Sequence, residues 1–516
     1  MKADLNLLVK GAAFMTAGLF ASKLLGYFFQ IFLARILSPG ELGLFLIATA
    51  VLGLFVMASN FGIAESLSRF IAFYSAKKDF AKVKGSIGSA FRVHGVTAIA
   101  LAAVLFFSSD FLAQMVFAKP ELGLLFKIFA IVLPVSVFSG DFFMAMEGFK
   151  KIKYKVLIRR FLQLVVKFGV LVFFWVMGLS LMAAVLAFVL SEITAFLFAI
   201  FFFKKRVFPK ELEKIKSVLV NREMLGFAWP LLLMGVFANI LITIDVIMLG
   251  FFAPAYDAGQ YGIAHTTGQL ELMPLEIIVA LAVPIATGFI ALNKIDELKK
   301  IYSIISRWIF SLAFPLGLLL VLFAVPIQVF LFGNAYAESA VAMNILIAGY
   351  FLFCFFGPAQ QTLLASGKTK LNFINSITAG IITIILNAVL IPYFLLQNAA
   401  TVGAAISTAI AYATWGAMGF FELYVIYRVM PFTVKLLKVF LAGIASVGIA
   451  FYLVSLVLDY SIVSAIATGI IFLALYPLFM LALKSFEKED IEIMLAIERK
   501  TGLRIEFLRR IVKRFL

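Results

Sequence analysis

The segment SPGELGLF, residues 38–45, opens the second of a series of long apolar runs, and AYDAGQYGIA, residues 255–264, opens the eighth. Two further pairs of segments lie six runs apart in the same way: AMEGFKKIKYK (145–155) with LASGKTKLNF (364–373), and GLSLMAAV (178–185) with ATVGAAIS (400–407). Each match is loose, but all three pairs share one offset and one orientation. A six-helix repeat of this kind predicts two lobes related by a parallel pseudo-two-fold axis, with a substrate cavity between them near the membrane midplane.

The composition is that of a polytopic membrane protein. Of the 516 residues, 64% are hydrophobic, 14% are charged and 59 are phenylalanine. Soluble domains carry about a quarter charged residues, so a water-soluble core does not account for this chain. The single cysteine, Cys354, lies in an apolar run and cannot form an internal disulfide.

Runs of about 20 apolar residues predict an all-α fold with about fourteen transmembrane helices. The predicted spans are 9–36, 42–74, 86–108, 122–147, 156–178, 180–203, 224–251, 258–290, 301–331, 337–365, 371–395, 399–427, 434–457 and 461–483. The repeat groups them into an N-terminal lobe (1–203), a cytoplasmic amphipathic linker (204–223), a C-terminal lobe (224–429), two extra helices (430–484) and a cytoplasmic amphipathic tail (485–516).

Positive charge is concentrated in alternate connections between these spans. Lys and Arg cluster at 77–84, 150–155, 204–222, 294–300, 368–370 and 428–438. The opposite connections hold only Lys119. Short loops rich in Lys and Arg face the cytoplasm, so we expect a multi-pass protein of the cell membrane with both termini cytoplasmic. The net charge of +17 is then a topology signal with some attraction to anionic lipids, and no nucleic-acid binding is expected.

The segment FQIFLARILSPGELGLFLIATAVLGLFVMASNFGIAESLSRFIAFYSAKKD (29–79) resembles the opening of Wzx-type polysaccharide flippases. These belong to the multidrug/oligosaccharidyl-lipid/polysaccharide exporter (MOP) superfamily. ANILITIDVIMLGFFAPAYDAGQYGIA (238–264), IILNAVLIPYF (384–394) and VGAAISTAI (402–410) are further matches, and SKLLGYFFQIFLARIL is similar to the first helix of lipid II flippases. The resemblance covers essentially the whole chain.

The resemblance implies a function. Proteins of this type move a polyprenyl-diphosphate-linked oligosaccharide from the inner to the outer leaflet by alternating access, for surface polysaccharide or glycan assembly. Their last two helices form a groove for the lipid tail, and this chain has that extra pair. The implied partners are the lipid-linked glycan, membrane lipids and glycan-assembly enzymes.

Four charged residues are predicted near the bilayer midplane. A helix rise of about 1.5 Å per residue places Lys23, Lys167, Glu192 and Glu271 there. Charge at that depth is costly, so these side chains are expected to face the bundle interior or a wet cavity. Ammonium groups bind phosphate, which makes the two lysines candidate ligands of a diphosphate, with Gln30 on the same helix stripe as Lys23. The alternative is that each lysine snorkels to the interface or pairs with a glutamate and only holds the lobes together.

Two further sets of candidates lie at other depths. Arg159 and Arg307 are nearer the inner face, where they are candidates for first contact with the head group or for interface anchoring. A polar group in the outer half consists of Asp245, Thr383, Asn387 and Thr408 (or its neighbour Ser407). Its oxygen atoms would suit Na⁺ as a coupling ion, and some lipid II flippases hold a cation on the corresponding helices. A hydrogen-bonded Asp at a helix interface is the alternative, and no other cofactor or metal is expected.

Two other functions are weighed against the flippase. A MATE-like cation-coupled multidrug exporter shares the superfamily, but such exporters commonly use an acidic residue in the first helix, where this chain has Lys23 and Gln30. A membrane glycan polymerase or ligase needs acid–base or metal groups at the outer face, and the short outer loops contain no cluster with such spacing. The sequence also lacks a P-loop for ATP. We therefore expect a transporter without enzymatic activity.

Overall fold

The computed structural model describes residues 23–212, 214–431 and 434–485, which are almost entirely helical. Packing divides the chain into two compact units, whose described residues lie in 23–262 and 263–485. The predicted amphipathic tail, except for its first residue, lies outside the described part of the chain.

The first unit is built from nine helices and the start of a tenth. They are α1 (23–36), α2 (Pro39–Asn60), α3 (Ile63–Ala76), α4 (Phe80–Phe111), α5 (Leu122–Gly148), α6 (Ile152–Val156), α7 (Gln163–Val176), α8 (Leu181–Phe202), α9 (Asn221–Phe252) and α10 (Ala255–Gly268). π-Helical turns follow α4, α6 and α8, at Leu112–Val116, Leu157–Leu162 and Phe203–Val207.

The second unit takes in the end of α10 and the helices that follow it. They are a 3₁₀ turn (Gln269–Leu272), α11 (Met273–Ala291), α12 (Ile295–Leu322), α13 (Ala324–Phe332), α14 (Ser339–Phe355), α15 (Ala359–Ala365), α16 (Thr369–Leu395), α17 (Ala400–Tyr427), α18 (Val434–Ser455) and α19 (Ile462–Ala482). Aromatic side chains fill much of its interior; Phe310 stacks on Phe314, with ring centres 5.4 Å apart.

The predicted all-α polytopic fold is confirmed. Within the described ranges, nine helices are long and apolar enough to cross a membrane, or up to eleven if two bent pairs are each one span. Several predicted spans agree closely with helices: 122–147 with α5, 371–395 with α16, and 399–427 with α17. The count of fourteen spans stays a prediction.

The predicted single span 42–74 is wrong, because α2 and α3 are separate helices. Phe61 (φ 47°) and Gly62 (φ 71°) are both left-handed, which stops the α2 hydrogen-bond ladder. The side-chain oxygen of Asn60 then accepts the backbone N–H of Ala64, 2.9 Å away, and starts α3. The predicted span 337–365 is likewise bent by 43° between α14 and α15.

The repeated segments found in the sequence contact each other in the first unit. Ser38 and Glu41 form a capping box at the start of α2. A Cβ atom built at Gly43 would lie 1.7 Å from the carbonyl oxygen of Ala255, and one at Gly259 would lie 1.9 Å from that of Pro39. The contact is reciprocal, as a two-fold relation between the segments requires. Only glycine permits this backbone approach.

The connection between α8 and α9 is packed against α4. The backbone N–H of Val218 donates to the carbonyl oxygen of Ala81 (3.1 Å), and that of Val220 donates to Ser89 Oγ (2.9 Å). Val207 and Leu212 of this connection are buried in a hydrophobic cluster that also includes residues of α4. The predicted linker 204–223 is thus a hydrogen-bonded part of the first unit. The division into two compact units does not test the domain boundaries inferred from the sequence repeat. Those boundaries stay a prediction.

Lys119, the one basic residue that departs from the charge alternation, has a structural role. Its Nζ donates to the carbonyl oxygens of Phe117 (2.9 Å) and Gly250 (2.6 Å), the second of which lies in the last turn of α9. A cation at a helix C-terminus satisfies exposed carbonyls and the helix dipole. Burial lowers the pKa of Lys119, an effect that Asp257 and Glu121 oppose.

The reciprocal glycine contact generates a stability prediction. We expect Gly43→Ala to lower the free energy of unfolding by about 1–3 kcal/mol or more, because its methyl group would collide with backbone rather than with a flexible side chain. Thermal unfolding in detergent micelles measures this. The matched control is Gly40→Ala in the same helix turn, where a Cβ meets nothing within 4 Å. Equal melting temperatures for the two variants would show that the contact does not constrain the fold.

Candidate functional site

A cavity of about 360 Å³ lies inside the first unit, between α2, α3, α5, α7 and α8. Its lining mixes polar and apolar side chains. The lining residues are Thr49, Leu52, Gly53, Val56, Asn60, Ala64, Glu65, Ser136, Val137, Ser139, Gly140, Phe143, Met144, Arg159, Gln163, Phe188 and Glu192. Polar groups in the middle of apolar helices are expected only where they line a cavity or pair with one another.

Glu192 is the centre of a hydrogen-bonded group in this cavity. Gln163 Nε2 donates to Glu192 Oε1 at 2.6 Å, and Ser136 Oγ donates to Glu192 Oε2 at 3.4 Å. The three residues come from α7, α8 and α5, so the carboxylate is held from two sides. Sequence reasoning identified Glu192 by its charge but missed the other two, because neutral polar residues are common in apolar runs.

Two cations lie at or near the cavity. Arg159, which lines it, has its guanidinium carbon 5.8 Å from the centre of the Phe143 ring. The Nζ atom of Lys167 is 4.9 Å from the ring centre of Phe29 and 5.1 Å from that of Phe188. All three distances are those of cation–π contacts. Phe188 lines the cavity whereas Lys167 does not, and Lys167 and Glu192 interact electrostatically.

The charges of the lining itself are mixed. Among its residues are one arginine, Arg159, and two glutamates, Glu65 and Glu192. Glu65 accepts from the Asn60 amide at 3.3 Å. The cavity therefore lacks the uniformly positive lining that is expected for a diphosphate alone. Its carboxylate, amide and hydroxyl groups also suit a ligand rich in hydroxyl groups.

The other predicted substrate ligands do not line this cavity. Lys23 is an exposed residue at the start of the described part of α1, and neither it nor half-buried Gln30 lines the cavity. Arg307 and Glu271 are buried in the second unit, where Arg307 Nη1 donates to the carbonyl oxygen of Ser485 at 3.2 Å. Substrate contact by these four residues stays a prediction.

The predicted cation ligands are all buried. Asp245 Oδ2 accepts a hydrogen bond from the Tyr261 hydroxyl at 2.8 Å. Thr383 and Asn387 lie on α16, and Thr408 lies on α17. Asp245 belongs to the first unit and the other three residues to the second. Binding of a cation by this set stays a prediction.

A buried histidine–aspartate pair that sequence reasoning missed lies beside the cavity. His94 Nδ1 is 2.8 Å from both carboxylate oxygens of Asp141, and both side chains are fully buried. His94 Nε2 is 2.9 Å from the backbone carbonyl oxygen of Asn60, at the break between α2 and α3. A carbonyl oxygen only accepts, so Nε2 carries a proton. The pair therefore supplies a hydrogen bond to the carbonyl that the end of α2 leaves without a helical partner.

Solved structures with the same fold include transporters of two kinds. The structure described as "Lipid II flippase MurJ, inward closed conformation" superposes with a TM-score of 0.71 at 15% identity, covering 91% of this chain and 99% of that one. An inward-facing multidrug resistance MATE family transporter of the MOP superfamily has a TM-score of 0.65 at 15% identity, covering 79% and 94%. A MOP superfamily transporter from Pyrococcus furiosus has a TM-score of 0.51 at 15% identity, covering 81% and 94%. No curated protein matches significantly in sequence.

The fold is therefore the one found in these transporters, in agreement with the resemblance found in the sequence. Residues 8–289, more than half of the chain, match the family described as "Polysaccharide biosynthesis protein". The chain belongs to this family.

The His94–Asp141 pair generates a second stability prediction. We expect His94→Ala to lower the free energy of unfolding by about 3–5 kcal/mol, because it leaves a buried carboxylate without its partner. In the double variant with Asp141→Ala the loss should be smaller than the sum of the two single losses.

This coupling is measured by unfolding four proteins in detergent micelles: the wild type, the two single variants and the double variant. Thr97→Val is the control on the next turn of α4, since it removes only a neutral hydrogen bond to the Ser59 carbonyl. That bond is worth about 1 kcal/mol. Strictly additive losses would contradict an energetically coupled pair.

Proposed function

We propose that this protein moves a polyprenyl-diphosphate-linked oligosaccharide from the inner to the outer leaflet of the cell membrane by alternating access, as a step in surface polysaccharide or glycan assembly. The observation that carries the proposal is the cavity of the first unit, which places hydroxyl, amide, carboxylate and guanidinium groups inside apolar helices. Family membership and the MOP fold support it. In this proposal both termini face the cytoplasm, and membrane lipids and glycan-assembly enzymes are the partners.

The neutral and acidic groups of the cavity suit the sugar part of such a substrate. Sugar hydroxyls both donate and accept hydrogen bonds, so they complement Ser136, Gln163 and Glu192. Phe143 and Phe188 offer apolar faces beside these polar groups. A volume of about 360 Å³ is at the lower end of small-molecule sites, and it suits one or two sugars rather than a long glycan.

The cations suit the diphosphate. Arginine presents a planar fork of donors that matches phosphate oxygens, so Arg159 is the residue expected to contact the diphosphate first. Lys167 adds a second positive charge behind Phe188. Glu65 and Glu192 would repel phosphate and so favour one orientation of the substrate, with sugar at the carboxylates and phosphate at Arg159. The polyprenyl tail stays in the lipid.

One observation favours a second function. The two carboxylates of the lining outnumber its single arginine, and such a lining would also attract an organic cation. A MATE-like multidrug exporter is therefore the alternative, and MATE transporters share the fold. Transport of the two substrate classes distinguishes these functions directly.

The flippase proposal predicts the effect of removing the cavity cation. In proteoliposomes, Arg159→Ala should slow transbilayer movement of a fluorescent polyprenyl-diphosphate glycan about tenfold or more, the value of one charge-assisted hydrogen bond. The control is Lys127→Ala, which removes a half-buried cation that pairs with Asp110 outside the cavity. If the wild type instead moves a cationic dye and leaves the lipid-linked glycan in place, the exporter is the correct function.

Sodium coupling is a separate part of the proposal, and buried Asp245 is the residue that tests it. Replacing Na⁺ by K⁺ on both sides of the proteoliposome membrane should slow glycan transport. Asp245→Asn, which retains an acceptor for the Tyr261 hydroxyl, should abolish this difference. Equal rates in the two salts for the wild type would leave Asp245 with a structural role only.

A further inference from the structure

Glu271 is a buried acid of unusual isolation in the second unit. It lies in the 3₁₀ turn between α10 and α11, and its side chain has no exposed surface. Within the described part of the chain, neither carboxyl oxygen has a hydrogen-bond partner, and no Lys, Arg or His nitrogen lies within 4.0 Å of them. By contrast, Glu192 accepts from Gln163, and Glu422 accepts from Asn375 at 2.7 Å.

The surroundings of this carboxyl group are shaped for it but do not neutralise it. On α12, a Cβ built at Gly317 would lie 3.0 Å from Glu271 Oε2, so the glycine leaves room for the acid. On α14, Cys354 Sγ donates to the backbone carbonyl oxygen of Glu271 at 3.5 Å. The other titratable groups on the adjoining elements include His265 of α10, Glu276 of α11, Tyr302 and Arg307 of α12, and Tyr350 of α14. Glu276, like Glu271 itself, acts electrostatically on the Cys354 thiol.

These surroundings disfavour the ionised form. Burying a carboxylate without a counter-charge or hydrogen bonds costs several kcal/mol, and the neutral acid avoids most of that cost. A metal cation is a poor substitute for the proton. Hard cations need several oxygen ligands, whereas Gly317 offers no side-chain ligand and the Cys354 thiol bonds to the backbone of Glu271 rather than to its carboxyl group. Nor does the described part of the chain contain a group of three or more His, Cys, Asp or Glu side chains able to hold a metal ion.

We propose that Glu271 is a proton-binding site of the second unit: it holds a proton as a carboxylic acid in the conformation described, and it releases that proton to water when α12 and α14 move away from the turn. Ionisation requires water or a cation to reach the carboxyl group. Proton release and opening of the helices around the turn are therefore thermodynamically linked. This site would couple the transporter to a proton gradient, whatever molecule the first unit carries.

Infrared difference spectroscopy of the purified full-length protein in lipid nanodiscs tests the protonation state. Exposed glutamates have a pKa of about 4.3 and are ionised at pH 7. A carboxylic-acid carbonyl band at pH 7 therefore identifies a glutamate that holds its proton. We expect such a band in the wild type and its loss in Glu271→Gln, a neutral variant of the same shape that is expected to fold. The matched control is Glu192→Gln, which should leave the band unchanged. A wild-type spectrum identical to that of Glu271→Gln would overturn the proposal.

The pH dependence of unfolding supplies a second readout. If the folded state holds the proton more tightly than the unfolded state, its contribution to stability is present at low pH and is lost as the pH rises. The melting temperature of the wild type should therefore fall relative to that of Glu271→Gln between pH 7 and pH 10. Parallel curves would contradict the proposal. Neither experiment uses the transported molecule, so their outcome is independent of the flippase assay.

Discussion

The first unit depends on a backbone contact that tolerates no side chain. Gly43 and Gly259 each approach a carbonyl oxygen on the opposite segment, so the start of α2 and the start of α10 pack with no side chain between them. In a bilayer, burying apolar surface does not drive helices to associate, because the lipid is itself apolar. Close packing of small residues stabilises helix contacts instead. The repeated pattern of the sequence is therefore present in space as a reciprocal contact.

The helices were predictable because their signal is long and redundant. Some twenty apolar residues define each span, and single errors shift a boundary by only a few positions. The break between α2 and α3 was not predictable in this way. It rests on a left-handed phenylalanine, Phe61, and on hydrogen bonds from His94 and Thr97 of another helix. No local pattern encodes such a tertiary contribution.

The site was predictable only in part, for a related reason. A charge in an apolar run is conspicuous, which identified Arg159, Lys167 and Glu192. Depth, however, says nothing about the direction in which a helix faces, and Lys23 is exposed rather than in the cavity. Asp141 was as visible as the others, yet its importance depends on a histidine from α4, which sequence spacing does not reveal.

The connection between α8 and α9 has a mechanical consequence. Its backbone is hydrogen-bonded to α4 as far as Val220, and α9 begins at the next residue. No flexible residue therefore separates the part of the connection bound to α4 from the first residue of α9. The connection fixes the start of α9 to α4. Any tilting of α9 must be absorbed by bending within that helix or carried by α4 along with it.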